Sequence, residues 1–223
     1  MTKPFFSIVI PTYNRCELLK AAIAIVLRQT CQDFEIIISD NASTDETEKV
    51  VKSFKDSRVK YFKNQKNKGF EFNIKKVFSL AKGKYLFTLG DDDFLLHDNT
   101  LQKVKEILEK EPYGLLRLNS IEKKFIGHGL RKSIITQEEN IEIEKNSSAE
   151  KIIEFFNKTA VGHVAGLVIK NSSDIAEEMI DSSITPWIKV IYEKTKKDGA
   201  YFLADHYTII TWSQGDILTH YDV

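Results

Sequence analysis

Between residues 5 and 110, short and nearly unbroken apolar runs alternate with segments of helical period, and each apolar run stops at a cluster of polar residues. The runs are Phe5 to Ile10 (FFSIVI), Phe34 to Ile38 (FEIII), Val59 to Phe62 and Tyr85 to Leu89. A strand that is apolar on both faces is one covered on both faces, as in a buried parallel sheet. Between the runs, Leu18, Leu19, Ala22, Ile23, Val26 and Leu27 recur at helical spacing within Glu17 to Gln29. A second helix is expected from Ser43 or Thr44 to about Phe54, with Asp45, Glu46 and Glu48 in its first turns, where the helix dipole favours anions. A third covers Phe70 to Leu80 with Gly83 as its C-cap, and a fourth runs from Asn99 to Lys110. Strand–helix alternation of this kind implies an α/β fold with a mostly parallel central sheet flanked by helices. Such a sheet takes its ligands at the carboxyl ends of the strands. The loops at those ends, 11–15, 39–44, 64–69 and 90–93, carry most of the chain's unusual polar residues.

Beyond residue 112 the pattern is less regular. It reads as a strand over Leu115 to Ile121, a hairpin or loop over Glu122 to Thr136 around Gly127 and Gly129, and a helix over Ala149 to Asn157. A strand over Val164 to Ile169, a helix over Ser172 to Ile180 and a short strand over Tyr201 to Leu203 follow. Ala204-Asp205-His206 then leads into a helix from Tyr207 to Trp212. Neither repeat nor linker is visible, so residues 1–223 form one domain with two functional halves, 1–112 and 113–223.

The 32 basic and 32 acidic side chains balance, which argues against nucleic acid as a partner. Two cysteines exclude a disulfide framework. Cys16 and Cys31, roughly 22 Å apart if they share one helix, read as reduced thiols of a cytoplasmic protein. No leader-like segment opens the chain, and no stretch approaches the ~18 apolar residues that a membrane span needs.

Three adjacent aspartates, Asp91, Asp92 and Asp93, follow the apolar run at Tyr85 to Leu89. Their mutual repulsion raises each other's pKa unless a cation is present. In an extended segment Asp91 and Asp93 share a side, which suits a hard divalent ion such as Mg²⁺ or Mn²⁺. A solvated acidic turn is the plainer alternative. At the end of FEIII, Asp40 could accept a nucleobase ring N–H and Asn41 could bond a ribose, or both could simply shape the turn. Pro11-Thr12-Tyr13-Asn14-Arg15 offers a ring and a guanidinium able to grip a phosphate, or a proline-initiated turn with Asn14 as helix N-cap.

Taken in order, SIVIPTYNR, EIIISDNASTDET, NKGFEFN and GKYLFTLGDDD resemble the N-terminal half of family 2 glycosyltransferases with the GT-A fold, from about Phe5 to Leu101. The resemblance implies a GT-A-like chain whose Rossmann-like half binds a nucleotide-diphosphate sugar, a UDP-sugar first among them. It places Pro11, Tyr13 and Arg15 around the nucleoside, Asp40 at the base, Asn41 near the ribose, and Asp91 to Asp93 at a metal on the diphosphate. Where the family loop commonly reads D-D-G-S-T-D, this chain has Asp40-Asn41-Ala42-Ser43-Thr44-Asp45. Where the metal motif commonly reads L-D-x-D-D, Gly90 replaces the first acid, which leaves open whether Asp91 or Asp92 joins Asp93.

In inverting members of the family, an acid in an E-D-like pair at the start of a late helix is the general base. Tyr201 to His206 resembles that segment, with Ala204 in place of Glu, and Asp205 is the candidate base. The same carboxylate would also serve as N-cap of the helix expected from Tyr207. His163 and His206 are candidates for phosphate, acceptor or metal. Gly162 and Gly166 would let a sugar approach, and Trp187 and Trp212 would stack on one or belong to the core. The implied activity is metal-dependent, inverting transfer to a hydroxyl of a polysaccharide, glycolipid or glycoprotein. A carbohydrate or lipid-linked acceptor would bring the protein to the inner face of a membrane as a peripheral partner. Two other readings stand beside it. A sugar-phosphate nucleotidyltransferase would need a glycine-rich first loop, where this chain has PTYNR. A non-catalytic nucleotide-sugar-binding domain or partner-dependent subunit is suggested by how soon the chain ends after Asp205.

Overall fold

A computed structural model describes residues 3–126, 129–134, 138–179 and 185–212. In chain order the elements of the first half are β1 (Phe6–Thr12), α1 (Cys16–Leu27), β2 (Phe34–Asp40), α2 (Thr47–Ser53), β3 (Val59–Lys63), α3 (Gly69–Leu80), β4 (Tyr85–Thr88), β5 (Phe94–Leu95) and α4 (Thr100–Lys110). The second half adds β6 (Leu115–Ile126), β7 (Gly129–Ile134), β8 (Ile141–Ile143), α5 (Ala149–Thr159), β9 (Leu167–Lys170), α6 (Ile188–Asp198) and β10 (Ala200–Trp212).

One sheet passes through both halves in the order β3-β2-β1-β4-β9-β6-β10-β5, with β7 paired to β6 and β8 to β10. The first four strands are mutually parallel. β9 runs antiparallel to both neighbours, and β6 and β10 are parallel to each other. The unbroken apolar runs are explained by helices on both faces. Ile8, Ile10, Ile36 and Ile38 pack with Leu19 and Ile23 of α1 and Val104 of α4. Val9 and Ile37, one residue out of phase, pack with Ile74 and Phe78 of α3, Phe155 of α5 and Val190 of α6.

Several expectations are corrected. α2 begins at Thr47, because Asp45 accepts from both the Thr47 N–H (3.0 Å) and its hydroxyl (2.6 Å). The cap of α3 is Ala81. Gly83 instead lies against the backbone of Phe6 and Ser7, where any Cβ would collide, and gives its N–H to Ser7 Oγ. Residues 173–177 form turns and 178–179 bends, not a helix. β9 begins only at Leu167, since residues 160–163 and 165–166 lie in turns and bends. The helix expected over Tyr207 to Trp212 is the continuation of β10. Its β-branched residues Thr208 to Thr211 suit an extended strand, and it pairs with β6 from Asn119 to Lys124. The two-residue β5, β8 and α6 were not anticipated; the hairpin after Ile121 was, as β6 and β7.

Candidate functional site

At the carboxyl end of β1 the chain passes Pro11 and Thr12, which pair with Ser39 and Asp40 of β2. Asn14 then takes a left-handed conformation (φ 53°). Its N–H donates to Ser43 Oγ (2.8 Å), and its Oδ1 accepts from the Thr44 N–H (2.7 Å). Asn14 thus joins the two loops and is not the N-cap of α1; the Cys16 N–H donates to Asp45 Oδ2 at 3.1 Å. Tyr13 and Arg15 are half-buried at this rim.

Asp40 and Asn41 are fully buried. Asp40 Oδ1 accepts the Ser43 N–H at 2.7 Å, and Oδ2 accepts the hydroxyl of Tyr61 on β3. Burial and the Asp40 carboxylate push the Tyr61 phenol far above its ordinary pKa. The Asn41 amide is engaged at both ends. Its Oδ1 accepts from Asn64 Nδ2 and the Lys68 N–H, and its Nδ2 donates to Asn67 Oδ1 and the Gly69 carbonyl. Asn41 therefore holds the 64–69 loop, a role the ribose expectation overlooked. Asn73 of α3 ties the same region to β1 and β2, donating to the carbonyls of Ser39 (2.8 Å) and Thr12 (3.5 Å) and accepting from Ser39 Oγ (2.7 Å).

The aspartates stand directly beside the first loop. Thr12 Oγ1 donates to Asp91 Oδ2 at 2.8 Å. Arg15 Nη1 lies 3.3 Å from Asp91 Oδ1 and 2.8 Å from Asp92 Oδ2. Asp93 turns back so that its Oδ2 accepts the Gly90 N–H at 2.9 Å. Burial raises the Asp91 carboxyl to about 6 against the pull of Arg15. Burial also raises Asp92. Asp93 is driven well above the carboxylate range by burial and by its two acidic neighbours. Among the described residues no three acidic, histidine or cysteine side chains converge into a ready-made cage. The donor set is nevertheless all oxygen, and two of its carboxylates, Asp91 and Asp93, are about 95% buried. Those features fit a hard divalent cation that shares its ligands with phosphate oxygens.

On the other side of the site, β10 leaves register with β6. Leu203 pairs with Leu118 and Tyr207 with Asn119, so residues 204–206 bulge out of the ladder. Asn119 Nδ2 donates to the Ala204 carbonyl (2.9 Å), and the Ala204 N–H donates to Asn140 Oδ1 (2.8 Å). The next residue, Asp205, is exposed. Asp205 thus sits on a bulge rather than capping a helix. Just beyond it, Thr208 pairs with Leu95 of β5, two residues after Asp93. This pairing brings the bulge and the aspartates to the same region. The side chains of His206 and Trp212 lie outside the described residues. A Cβ on Gly162 would meet nothing within 4 Å, whereas Gly166 (φ +76°) abuts Arg117 and Thr208. His163 lies in the same 160–166 segment. Trp187 belongs to the core, its indole donating to the Val161 carbonyl at 3.3 Å and its ring edge-on to Phe70. Asn119, Asn140, Tyr61 and Arg117 went unnoticed in the sequence. Only Arg117 carried a signal, as a lone cation within the apolar run LLRL.

The chain matches the model of "Glycosyl transferase family 2" over residues 7–147. It is 31% identical over 207 residues, 86% of its own length and 61% of the relative's, to a Campylobacter jejuni GalNAc(5)-diNAcBac-PP-undecaprenol beta-1,3-glucosyltransferase. Its fold resembles S. aureus TarS residues 1–349 in complex with UDP-GlcNAc, with a TM-score of 0.72 at 16% identity over 98% of this chain and 61% of that one. It also resembles the mannosyltransferase PcManGT of Pyrobaculum calidifontis in complex with GDP-Man and Mn²⁺, with a TM-score of 0.65 at 14% identity over 99% of this chain and 59% of that one. The chain thus spans about three fifths of these proteins.

Proposed function

The chain belongs to glycosyl transferase family 2, and from that premise we propose that it moves a sugar from a nucleoside diphosphate sugar, a uridine donor first, to a hydroxyl of a lipid-linked or polysaccharide acceptor, with inversion. The observation that carries this reading is the meeting of the β1, β2 and β4 loops, where Thr12 and Arg15 contact Asp91 and Asp92. The named activity of the Campylobacter relative supports the lipid-linked acceptor, and the UDP-GlcNAc complex of TarS supports the donor. Among the described residues no helix is long and apolar enough to cross a membrane; the acceptor would bring the protein to the membrane surface.

In this reading Asp93, with Asp91 or Asp92, would hold a divalent cation. When bound, that cation neutralises charge on the departing diphosphate. Arg15 contributes positive charge at the same place, shared in this structure with Asp91 and Asp92. Asp205 accepts the acceptor's hydroxyl proton as its oxygen bonds to the anomeric carbon and the bond from that carbon to the diphosphate breaks. Attack from the face opposite the leaving group inverts the centre. Asp40 reads the base edge, accepting uracil or thymine N3–H or guanine N1–H on a carboxylate whose two oxygens Ser43 and Tyr61 hold in place.

The test is calorimetry of UDP, dTDP, GDP, ADP and CDP with Mn²⁺ and with chelator. UDP should bind best, and only with metal. Asp93→Ala should remove the metal's benefit, a loss of about 10-fold or more, as is typical when a metal site is disturbed. Asp40→Ala should erase the discrimination against ADP and CDP, because a site built around a hydrogen bond rejects ligands that leave it unmade. Equal affinity with and without metal, or tight ADP binding, would overturn the respective parts. Hydrolysis of UDP-sugars by the wild type would separate an enzyme from a binding module.

A further inference from the structure

Among the described residues, Arg117 of β6 is the largest fully buried side chain, and its hydrogen bonds go to carbonyls and a hydroxyl rather than to a carboxylate. Its Nε donates to the Thr159 carbonyl (3.1 Å), Nη1 to the Ala165 carbonyl, and Nη2 to the Ala160 carbonyl (3.4 Å) and Ser120 Oγ (3.1 Å). Two of those carbonyls close the C-terminus of α5, where a cation also satisfies the helix dipole. The third precedes Gly166, whose N–H donates to the Thr88 carbonyl at the end of β4. Thr88 Oγ1 in turn donates to the carbonyls of Val164 and Leu167. Arg117 and Thr88 together therefore hold both ends of the 159–167 segment, which carries Gly162 and His163 and which Trp187 also meets at the Val161 carbonyl.

The same guanidinium lies behind the aspartate loop. Gly166, against which Nη1 packs, is bonded to the strand that enters that loop, and Thr208, beside Ser120, pairs with the strand that leaves it. A fully buried guanidinium without a carboxylate partner is costly in a protein interior. Asp93 is the acidic group whose field acts on it, and burial still draws the guanidinium down to about 10.

We infer that Arg117 is a positioning residue joining the two sides of the site: it clamps the 159–165 segment and places a fixed positive charge behind Asp93. The charge half rests on the metal reading proposed above; the clamp half does not. A fixed cation near a metal ligand opposes a second cation. Its removal should therefore tighten divalent binding while loosening the segment, whereas general damage to the fold would weaken both.

The experiment compares the wild type with Arg117→Met and Arg117→Lys in two measurements: Mn²⁺ titration of the UDP-saturated full chain by electron paramagnetic resonance, and amide hydrogen exchange of residues 160–167 without ligand. The lost charge also lets Asp93 keep its proton more readily, so affinities are compared at a pH high enough that each has stopped rising with pH. There Arg117→Met should bind Mn²⁺ roughly threefold tighter or more, by loss of Coulomb repulsion. Arg117→Lys keeps the charge but loses the fork, so it should bind Mn²⁺ as the wild type does. Both variants should exchange faster at Gly166 and Leu167 than the wild type. Weaker or unchanged Mn²⁺ binding in Arg117→Met overturns the fixed charge, and unchanged exchange in both variants overturns the clamp. A wild type that fails to bind Mn²⁺ with UDP overturns the metal reading and the charge half with it, while the exchange result still decides the clamp. If Arg117→Met does not fold, faster exchange with unaltered Mn²⁺ affinity in Arg117→Lys upholds the clamp, and weaker Mn²⁺ binding in that variant overturns the fixed charge.

Discussion

On the β3-β2-β1-β4 side of the sheet, each strand-end loop is fastened to the next by several side chains. Asn14 meets Ser43 and Thr44, Asp45 meets Cys16, Asn41 holds four points of the 64–69 loop, and Asn73 ties β1 to β2. On the β9-β6-β10 side, the bulge that carries Asp205 is tied at its first residue by two asparagines. The 159–167 segment there is held at its ends by Arg117 and Thr88 and at Val161 by Trp187. The first side is redundant, so a single lost bond should change stability more than chemistry. The second is sparser in the ties described at its bulge, and a single lost bond there should move a reacting group.

The largest expected effect comes from the sparse side. Asp205→Asn keeps the size and polarity of the side chain but cannot take a proton, so turnover should fall about 10²- to 10⁴-fold. UDP affinity should stay within error of the wild type. Wild-type turnover would move the base to another residue, with His163 the first to examine.

A matched pair of asparagines sharpens the contrast. Asn73→Ala and Asn119→Ala each leave buried partners unpaired and should cost about 1–3 kcal/mol in chemical denaturation. Asn73→Ala should retain its turnover per folded molecule. Asn119→Ala should lose turnover as well, because the Ala204 carbonyl that fixes the bulge is released. Equal turnover losses in the two variants would break the distinction between redundant and sparse sides.

The smallest effect lies far from the chemistry, at the amino ends of the strands. Burial alone would raise the Glu35 carboxyl, but Lys60, the Ser7 hydroxyl and the Lys82 N–H outweigh it and hold Glu35 below the usual range. A carboxyl lowered in the folded state stabilises fully above its unfolded value, near ~4.3, and loses that contribution as pH falls through the folded value. Urea midpoints at pH 7 and pH 3 should therefore differ less for Glu35→Gln than for the wild type. An identical acid loss in both would remove Glu35 from the account.

The redundant side was also the legible one. Its strands are short and apolar on both faces, and its loops follow each strand within a few residues, so the pattern that marks a strand also locates its loop. Tyr61 escaped because its partner, Asp40, is 21 residues away and on another strand. The second half is built from pairings across long separations. Thr208 to Thr211 carry only the weak local mark of β-branched side chains; pairing with β6, some 90 residues earlier, decides for a strand. The bulge was invisible for the same reason, since a register shift is a property of two strands. Asp205 could be picked out by motif, but not the asparagines that support it.

The pairing of Leu95 with Thr208 also bears on when the site comes into being. As the chain is synthesised, β1 to β4 can pair with one another as soon as they emerge, while the outer edge of β4 and one face of these strands wait for β9, α5 and α6. The aspartate loop follows immediately, but its far end has no strand to join until more than a hundred further residues have appeared. Contacts of such separation form late and slowly. Pairing among β1 to β4 is therefore expected to precede completion of the aspartate loop, which, like the Asp205 bulge, waits for β10.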